Sequence, residues 1–275
     1  MTSKWIYSIM KKTLFLILFC FWTNFQLLAG EREQVEERFN LMNANSVVKI
    51  DFKNKIYSQI KTFLADPSMP TVIAVFRFFE PCFSAKLEQY EVPDELKYLT
   101  LIESSINGRT VSSAGAMGFW QLMPDTGAEY GLFRDAYVND WYNVVSSSDA
   151  AGRYLRRSYT IFKDWNLALV SYNCGIGNVK KALALSGSKD FWSIYPYLPK
   201  ETRDYIVRYY AMKYIDNFGQ YHNFSPKQLK YSWDNVKIIF YNGKQKIVKD
   251  DWFYFLNPHI LTDKIPLETP ILVIK

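Results

Sequence analysis

Histidine is nearly absent from this chain of 275 residues: His222 and His259 are its only two. A three-histidine zinc site is therefore impossible, and no HExxH motif exists. A Ser-His-Asp triad would have to use one of these two, and neither stands in a recognisable context. Glycine and proline, 12 and 11 residues, are too few for a long disordered tract. Lys/Arg-rich runs of the kind that bind nucleic acid are also missing, which excludes that partner class. The longest apolar run, Leu14 to Trp22, is short for a membrane span, which needs about 20 apolar residues. Aromatic residues, by contrast, are plentiful: 20 Tyr, 20 Phe and 8 Trp.

That apolar run follows Lys11 and Lys12 and leads to Leu28-Ala29-Gly30. This is the layout of a secretory signal peptide, with cleavage expected near Ala29 or Gly30 and an uncleaved anchor as the alternative. Cys20 lacks a preceding small residue and is a poor lipid-attachment site. The formal charge of +6 falls to +3 once this lysine-bearing segment is removed, so charge says little about a partner. Export would permit Cys82 and Cys174 to pair, but two cysteines equally suit buried thiols.

The chain divides into a leader (1–30), a helical lead-in (31–84), a segment dense in helix punctuation (85–222) and a tail (223–275). The lead-in places Ile56, Ile60, Phe63 and Leu64 at helical spacing, and a helix over residues 72–90 should break near Pro81. In the tail, residues 236–241 and 244–248 flank Asn242-Gly243, the pattern of a β-hairpin with a primed turn. A short helix over 250–256 and a strand over 270–274 complete a small α+β appendage.

The chemistry concentrates in the third segment. Pro93-Asp-Glu-Leu opens a helix that should close at Asn107-Gly108. Its apolar stripe is Leu96, Leu99, Ile102 and Ile106. At roughly 100° per residue, Glu103 projects about 20° from Leu96 and about 40° from Leu99. It is an acid on the core-facing side, where desolvation raises a carboxyl pKa toward what a general acid needs. An acid at the stripe's rim bridged to a lysine is the bland alternative. Gly115 and Gly118 permit close backbone approach, and Gln121 is an amide in an apolar run, served by either a polar ligand or the backbone. Pro124 suits a helix start and Gly131 its stop; Ser146-Ser-Ser-Asp149 caps the next helix. Arg153, Arg156 and Arg157 then form a solvated face. Tyr172 and Asn173 end a further helix at the Gly175-Ile-Gly177 turn, where a phenol and an amide can face a cleft, and Pro199 opens a long helix to about Asn217.

Four motifs in order make the pattern specific: Leu101-Ile-Glu-Ser104, Gly115-Ala-Met-Gly-Phe-Trp-Gln-Leu-Met-Pro124, Tyr172-Asn-Cys-Gly-Ile-Gly-Asn178 and Glu201-Thr-Arg-Asp-Tyr205. Together they resemble the lytic murein transglycosylases with the soluble-lytic-transglycosylase-like (SLT) domain, closest to the membrane-bound type D branch. The resemblance covers about residues 85–220. It implies a mainly α, lysozyme-like catalytic domain that cleaves the β-1,4 bond between N-acetylmuramic acid and N-acetylglucosamine. The family's catalytic glutamate matches Glu103, and its glycan-lining residues match Ser112, Gln121, Tyr172, Asn173 and Tyr205. Glu201 matches a motif acid in a supporting role. Gly108 and Ile176 stand where the family usually has proline; both substitutions should loosen loops without deleting a chemical group.

The resemblance implies a one-acid mechanism without metal or cofactor, in which the substrate's own N-acetyl group assists and a 1,6-anhydro ring forms. A hydrolytic muramidase using Asp125 or Glu201 to activate water, and a non-catalytic peptidoglycan-binding protein, are the competing readings. Peptidoglycan strands are the expected partner and the periplasm or cell envelope the expected location. Membrane association, oligomeric state and the role of the tail stay open.

Overall fold

The computed structural model describes residues 30–275, so the expected leader lies outside the described residues apart from Gly30. Residues 31–89 form α1 (Glu31–Ala44), α2 (Asn54–Ala65) and α3 (Met69–Gln89), the last running across the expected boundary at 84/85. A 3-10 turn (Asp94–Tyr98), α4 (Leu99–Ser104) and α5 (Pro124–Glu129) follow. Then come α6 (Val144–Phe162), α7 (Trp165–Ser186), α8 (Phe191–Ile194) and α9 (Lys200–Phe218). The tail contributes β1 (Val236–Phe240), α10 (Asp251–Leu256) and β2 (Pro270–Ile274). The mainly α expectation holds. Among the described residues no helix is long and apolar enough to cross a membrane.

Helix α9 is the organising element, packing on α1, α2, α4 and α7. It buries Tyr209, Tyr210 and Tyr214 almost completely. Much of the aromatic content is thus core: Phe76 stacks on Tyr98, and Phe83 meets Trp120 edge-on at 5.7 Å. A buried ion pair, Glu95 with Lys213, joins the 3-10 turn to α9. The Glu95 carboxylate also accepts the Val47 and Val48 amides at 2.8 Å, which fastens the α1–α2 link to the same core.

Local details depart from the sequence reading. Helix α3 runs through Pro81 without a break, because Phe78, Phe79 and Phe83 are buried on either side and their packing outweighs one lost backbone bond. The cap of α6 is Asn143, whose Oδ1 accepts from the Val145 and Ser146 amides at 2.9 and 3.2 Å. Ser147 and Ser148 instead lie inside the helix and donate back to the Asn143 and Val144 carbonyls. Arg153, Arg156 and Arg157 form ion pairs with Asp149, Glu91 and Glu129, as a solvated face would. Cys82 and Cys174 are free thiols, the former buried and pushed up to about 12 by desolvation.

The expected hairpin is replaced by another pairing. β1 pairs antiparallel with β2, Val236 opposite Ile274 and Phe240 opposite Pro270. Asn242 and Gly243 do turn the chain, but side chains take the groups a hairpin needs. Gln245 accepts from the Asn242 amide at 2.7 Å and donates to the Phe240 carbonyl at 2.9 Å. Burial decides the partner: Ile271 and Leu272 are enclosed, whereas Val248 is 72% exposed. The tail is also welded to α3, with Phe78 in ring contact with Trp233, Trp252 and Phe255.

Candidate active site

Glu103 lies in the last turn of α4, a helix of only six residues. Leu99, Leu101 and Ile102 bury its inner face. The long helix expected over residues 93–107 is thus a 3-10 turn followed by one α segment, and it ends early. Ser105 and Ile106 both adopt left-handed backbone, φ 50° and 62°, which for a β-branched isoleucine is a strained state. The turn redirects the chain immediately after Glu103, and the Ser104 hydroxyl locks it by donating to the Phe119 carbonyl at 2.9 Å.

The Glu103 carboxyl retains some access to solvent but sits among apolar groups. Burial pushes it up to about 7, against the opposing pull of the Tyr205 hydroxyl and the Arg208 guanidinium and with a further push from the Glu201 charge. Tyr205, enclosed on α9, donates its hydroxyl to Glu103 Oε1 at 2.6 Å. Burial and the Glu103 charge keep that phenol far above its ordinary range, so it remains a donor. One carboxyl oxygen is thereby occupied, and Oε2 is the oxygen left to carry a proton. Arg208, one turn on from Tyr205, donates to the Ile102 carbonyl at 3.1 Å, an acceptor that the short helix α4 leaves open at its end.

Tyr172 is half-buried within electrostatic reach of Glu103 and donates to the Trp120 carbonyl at 2.7 Å. The next residue, Asn173, accepts from the Thr202 hydroxyl at 2.7 Å, which turns its amide nitrogen to the other side. α7 changes direction at Gly175, φ 82° and ψ 153°, a conformation that favours glycine. This break divides α7 just after Tyr172 and Asn173, where the sequence places the end of that helix. Gln121 resolves toward the backbone: its amide nitrogen donates to the Thr110 and Gly118 carbonyls at 3.0 and 2.9 Å. Its oxygen is the group left for a ligand. Ser112 closes a small loop, its Oγ accepting from the Ala116 amide at 3.0 Å.

The structure therefore joins Tyr205 to Glu103 directly and brings Tyr172 and Glu201 within its electrostatic reach. Asn173 is tied to α9 through Thr202. Ser112 and Gln121 belong to the loop that follows α4 and make no hydrogen bond with Glu103. Arg208 is the residue the sequence reading missed; its spacing of three from Tyr205 on one helix is the signal that could have found it. Gly108, expected to loosen its loop, lies tightly packed against Phe119 and Pro258. A Cβ there would lie 2.6 Å from the Phe119 ring and 2.9 Å from Pro258, so any side chain would force those two rings to move.

Residues 81–195 match the family model of the Transglycosylase SLT domain. Over 168 residues the chain is 33% identical to the membrane-bound lytic murein transglycosylase D of Escherichia coli K12, and equally to that of E. coli O6:H1. The match covers 59% of this chain but 34% of those proteins, so the chain spans about a third of the length of the curated relatives it matches. Among solved structures, the 70 kDa soluble lytic transglycosylase of E. coli aligns at 22% identity with a TM-score of 0.44, over 54% of this chain and 25% of that one. An inactive mutant of the lytic transglycosylase Slt from Pseudomonas aeruginosa aligns at 24% identity and 0.42, over 54% and 24%. The resemblance read from four motifs is borne out for the SLT segment.

Proposed function

We propose that this chain is an exported peptidoglycan lytic transglycosylase. It cleaves the β-1,4 bond between N-acetylmuramic acid and N-acetylglucosamine without water, with Glu103 as both acid and base. The observation that carries this reading is the Glu103 carboxyl itself: near 7, one oxygen held by Tyr205, and flanked by a cation at Arg208. The SLT match and the relatives' activity support the substrate class.

The geometry suits a two-stage use of one carboxyl. Protonated Glu103 gives its proton to the glycosidic oxygen as the bond to C1 breaks, and the substrate's acetamido group meets the positive charge at C1. The carboxylate so formed is stabilised by the Tyr205 donor and the Arg208 charge. It then takes the proton from the muramoyl C6 hydroxyl as that oxygen bonds to C1, which restores neutral Glu103 and closes the 1,6-anhydro ring. Tyr172, Asn173, Gln121 and Ser112 are the groups assigned to hold the sugars. A hydrolase of the two-carboxylate type would need a second working carboxylate, whereas cleavage assisted by the substrate's acetamido group needs only the one acid. Glu201 is exposed and acts on Glu103 through its charge, and Asp125 is exposed at the start of α5.

Digestion of purified peptidoglycan followed by mass measurement of the released muropeptides tests the reading. Products ending in anhydro-muramic acid, one water lighter than reducing ends, are expected from the wild type and not from Glu103→Gln. Reducing ends would replace the proposal with a muramidase. No release, with the protein still sedimenting on cell walls, would leave only a binding function.

A further inference from the structure

The tail meets the catalytic segment at a second place, away from its aromatic weld to α3, and this junction has a different character. Residues 257–261 (Asn-Pro-His-Ile-Leu) are held rigidly by the tail itself. Asn257 is wholly buried: its amide nitrogen donates to the Phe253 and Leu272 carbonyls at 2.9 and 2.7 Å, and its oxygen accepts the Leu272 amide at 2.7 Å. The buried His259 ring bonds the Pro270 carbonyl at 3.1 Å through Nε2. Desolvation pushes that imidazole down to about 4, so it is neutral and acts as a fixed tie.

With one side anchored, the segment offers its backbone to two irregular loops. Arg109 reaches across with Nε to the Pro258 carbonyl at 2.9 Å and with Nη2 to the Ile260 carbonyl at 2.7 Å. The Pro258 ring fills the space that glycine leaves at position 108. On the other flank the Asn139 amide donates to the His259 carbonyl at 3.0 Å and the Leu261 amide to the Tyr137 carbonyl at 2.8 Å, around a bridge between Val138 and Ile260. Between Ser105 and Met123 the described chain has only isolated bridges. Such a stretch must be ordered from outside or remain mobile. The Thr110 carbonyl accepts both the Gly118 amide and the Gln121 side chain, so whatever fixes residues 108–110 also fixes Gln121 and the loop that carries Ser112.

We propose that residues 257–261 are a brace for the substrate cleft, with Arg109 and Pro258 as positioning residues that hold the loops on which Ser112 and Gln121 hang. The tail is then a working part of the catalytic unit. This inference rests on the transglycosylase reading for its kinetic consequence but not for its mechanical one.

Two measurements on the full chain separate them. In Arg109→Gln, amide hydrogen exchange without substrate should quicken about tenfold over residues 107–118, the effect of two lost hydrogen bonds, with α3 and α9 unchanged. On soluble glycan strands, KM should rise roughly fivefold while the fall of activity near pH 7 stays in place, because Glu103 itself is untouched. Arg109→Lys, which can remake one bond, should recover part of both effects, and Pro258→Ala should reproduce the loop exchange without touching a charge. Unchanged exchange in both Arg109→Gln and Pro258→Ala overturns the brace. A lower kcat at constant KM overturns it as well, since that pattern marks a smaller folded fraction. If the wild type releases no muropeptides, the transglycosylase reading fails and the exchange result alone decides the brace.

Discussion

Replacing Glu103 with glutamine should cost the protein its activity and make it more stable, but only above a definable pH. The carboxyl has an ordinary value of 4.5 and stands at about 7 in the fold, raised chiefly by desolvation. A group raised in this way favours the folded state most fully below pH 4.5 and loses that contribution as pH rises through 7, where the fold must hold a poorly solvated charge. At ~1.4 kcal/mol for each tenfold change in the protonation equilibrium, the ionised fold pays about 3 kcal/mol relative to the neutral one. Glutamine has nearly the same shape, and its Oε1 can still accept from Tyr205. Glu103→Gln should therefore match the wild type in stability near pH 4 and exceed it by about 3 kcal/mol at pH 8. For a chain of this size that is an increase in Tm on the order of 5–10 °C. Urea unfolding of both proteins at pH 4, 6 and 8 measures the gap without any substrate. A gap that is constant across pH, or that grows toward acid, would refute the reasoning that Glu103 is a destabilised carboxyl.

Two further substitutions probe the neighbourhood. Tyr205→Phe removes the hydrogen bond that lowers the Glu103 value, so the pH at which activity falls should move up by about one unit while the plateau drops roughly tenfold. A limb that stays put or moves down, in the pH profile of muropeptide release, would contradict the assigned donor. Gly118→Ala places a Cβ 1.8 Å from the Trp141 carbonyl oxygen at φ +78° and should cost about 3 kcal/mol or more in urea unfolding. An unchanged midpoint would mean that this loop does not pack against residue 141.

Helical periodicity alone placed Glu103 on the inner side of its stripe, because a single turn of helix is enough to set that face. The approach of Tyr205 from α9 to Glu103 was not legible; the four ordered motifs implied, through resemblance, only that Tyr205 lines the glycan cleft. Gln121 shows the limit of composition. An amide in an apolar run must be satisfied, but the carbonyls of Thr110 and Gly118 are as good as a ligand, and only the folded loop reveals the choice. The tail shows another limit. The β-branched and aromatic run marks residues 236–241 as a strand, yet the choice between a near partner and a distant one depends on which apolar face finds cover. Here α10 provides that cover for residues 270–274. The Asn143 cap was missed because three serines and an aspartate three residues later mimic the same signal.

The two left-handed residues after Glu103 set a limit on how this protein can evolve. Ser105 is exposed, so a change to glycine or asparagine there would relax the backbone and leave the interior untouched. Ile106 is left-handed and buried at once, so any residue that eases its backbone also empties part of the core. A lineage selected for heat tolerance can adjust the first position freely. The second is fixed by two opposed demands, and its immobility keeps the acid aimed while the surrounding sequence drifts.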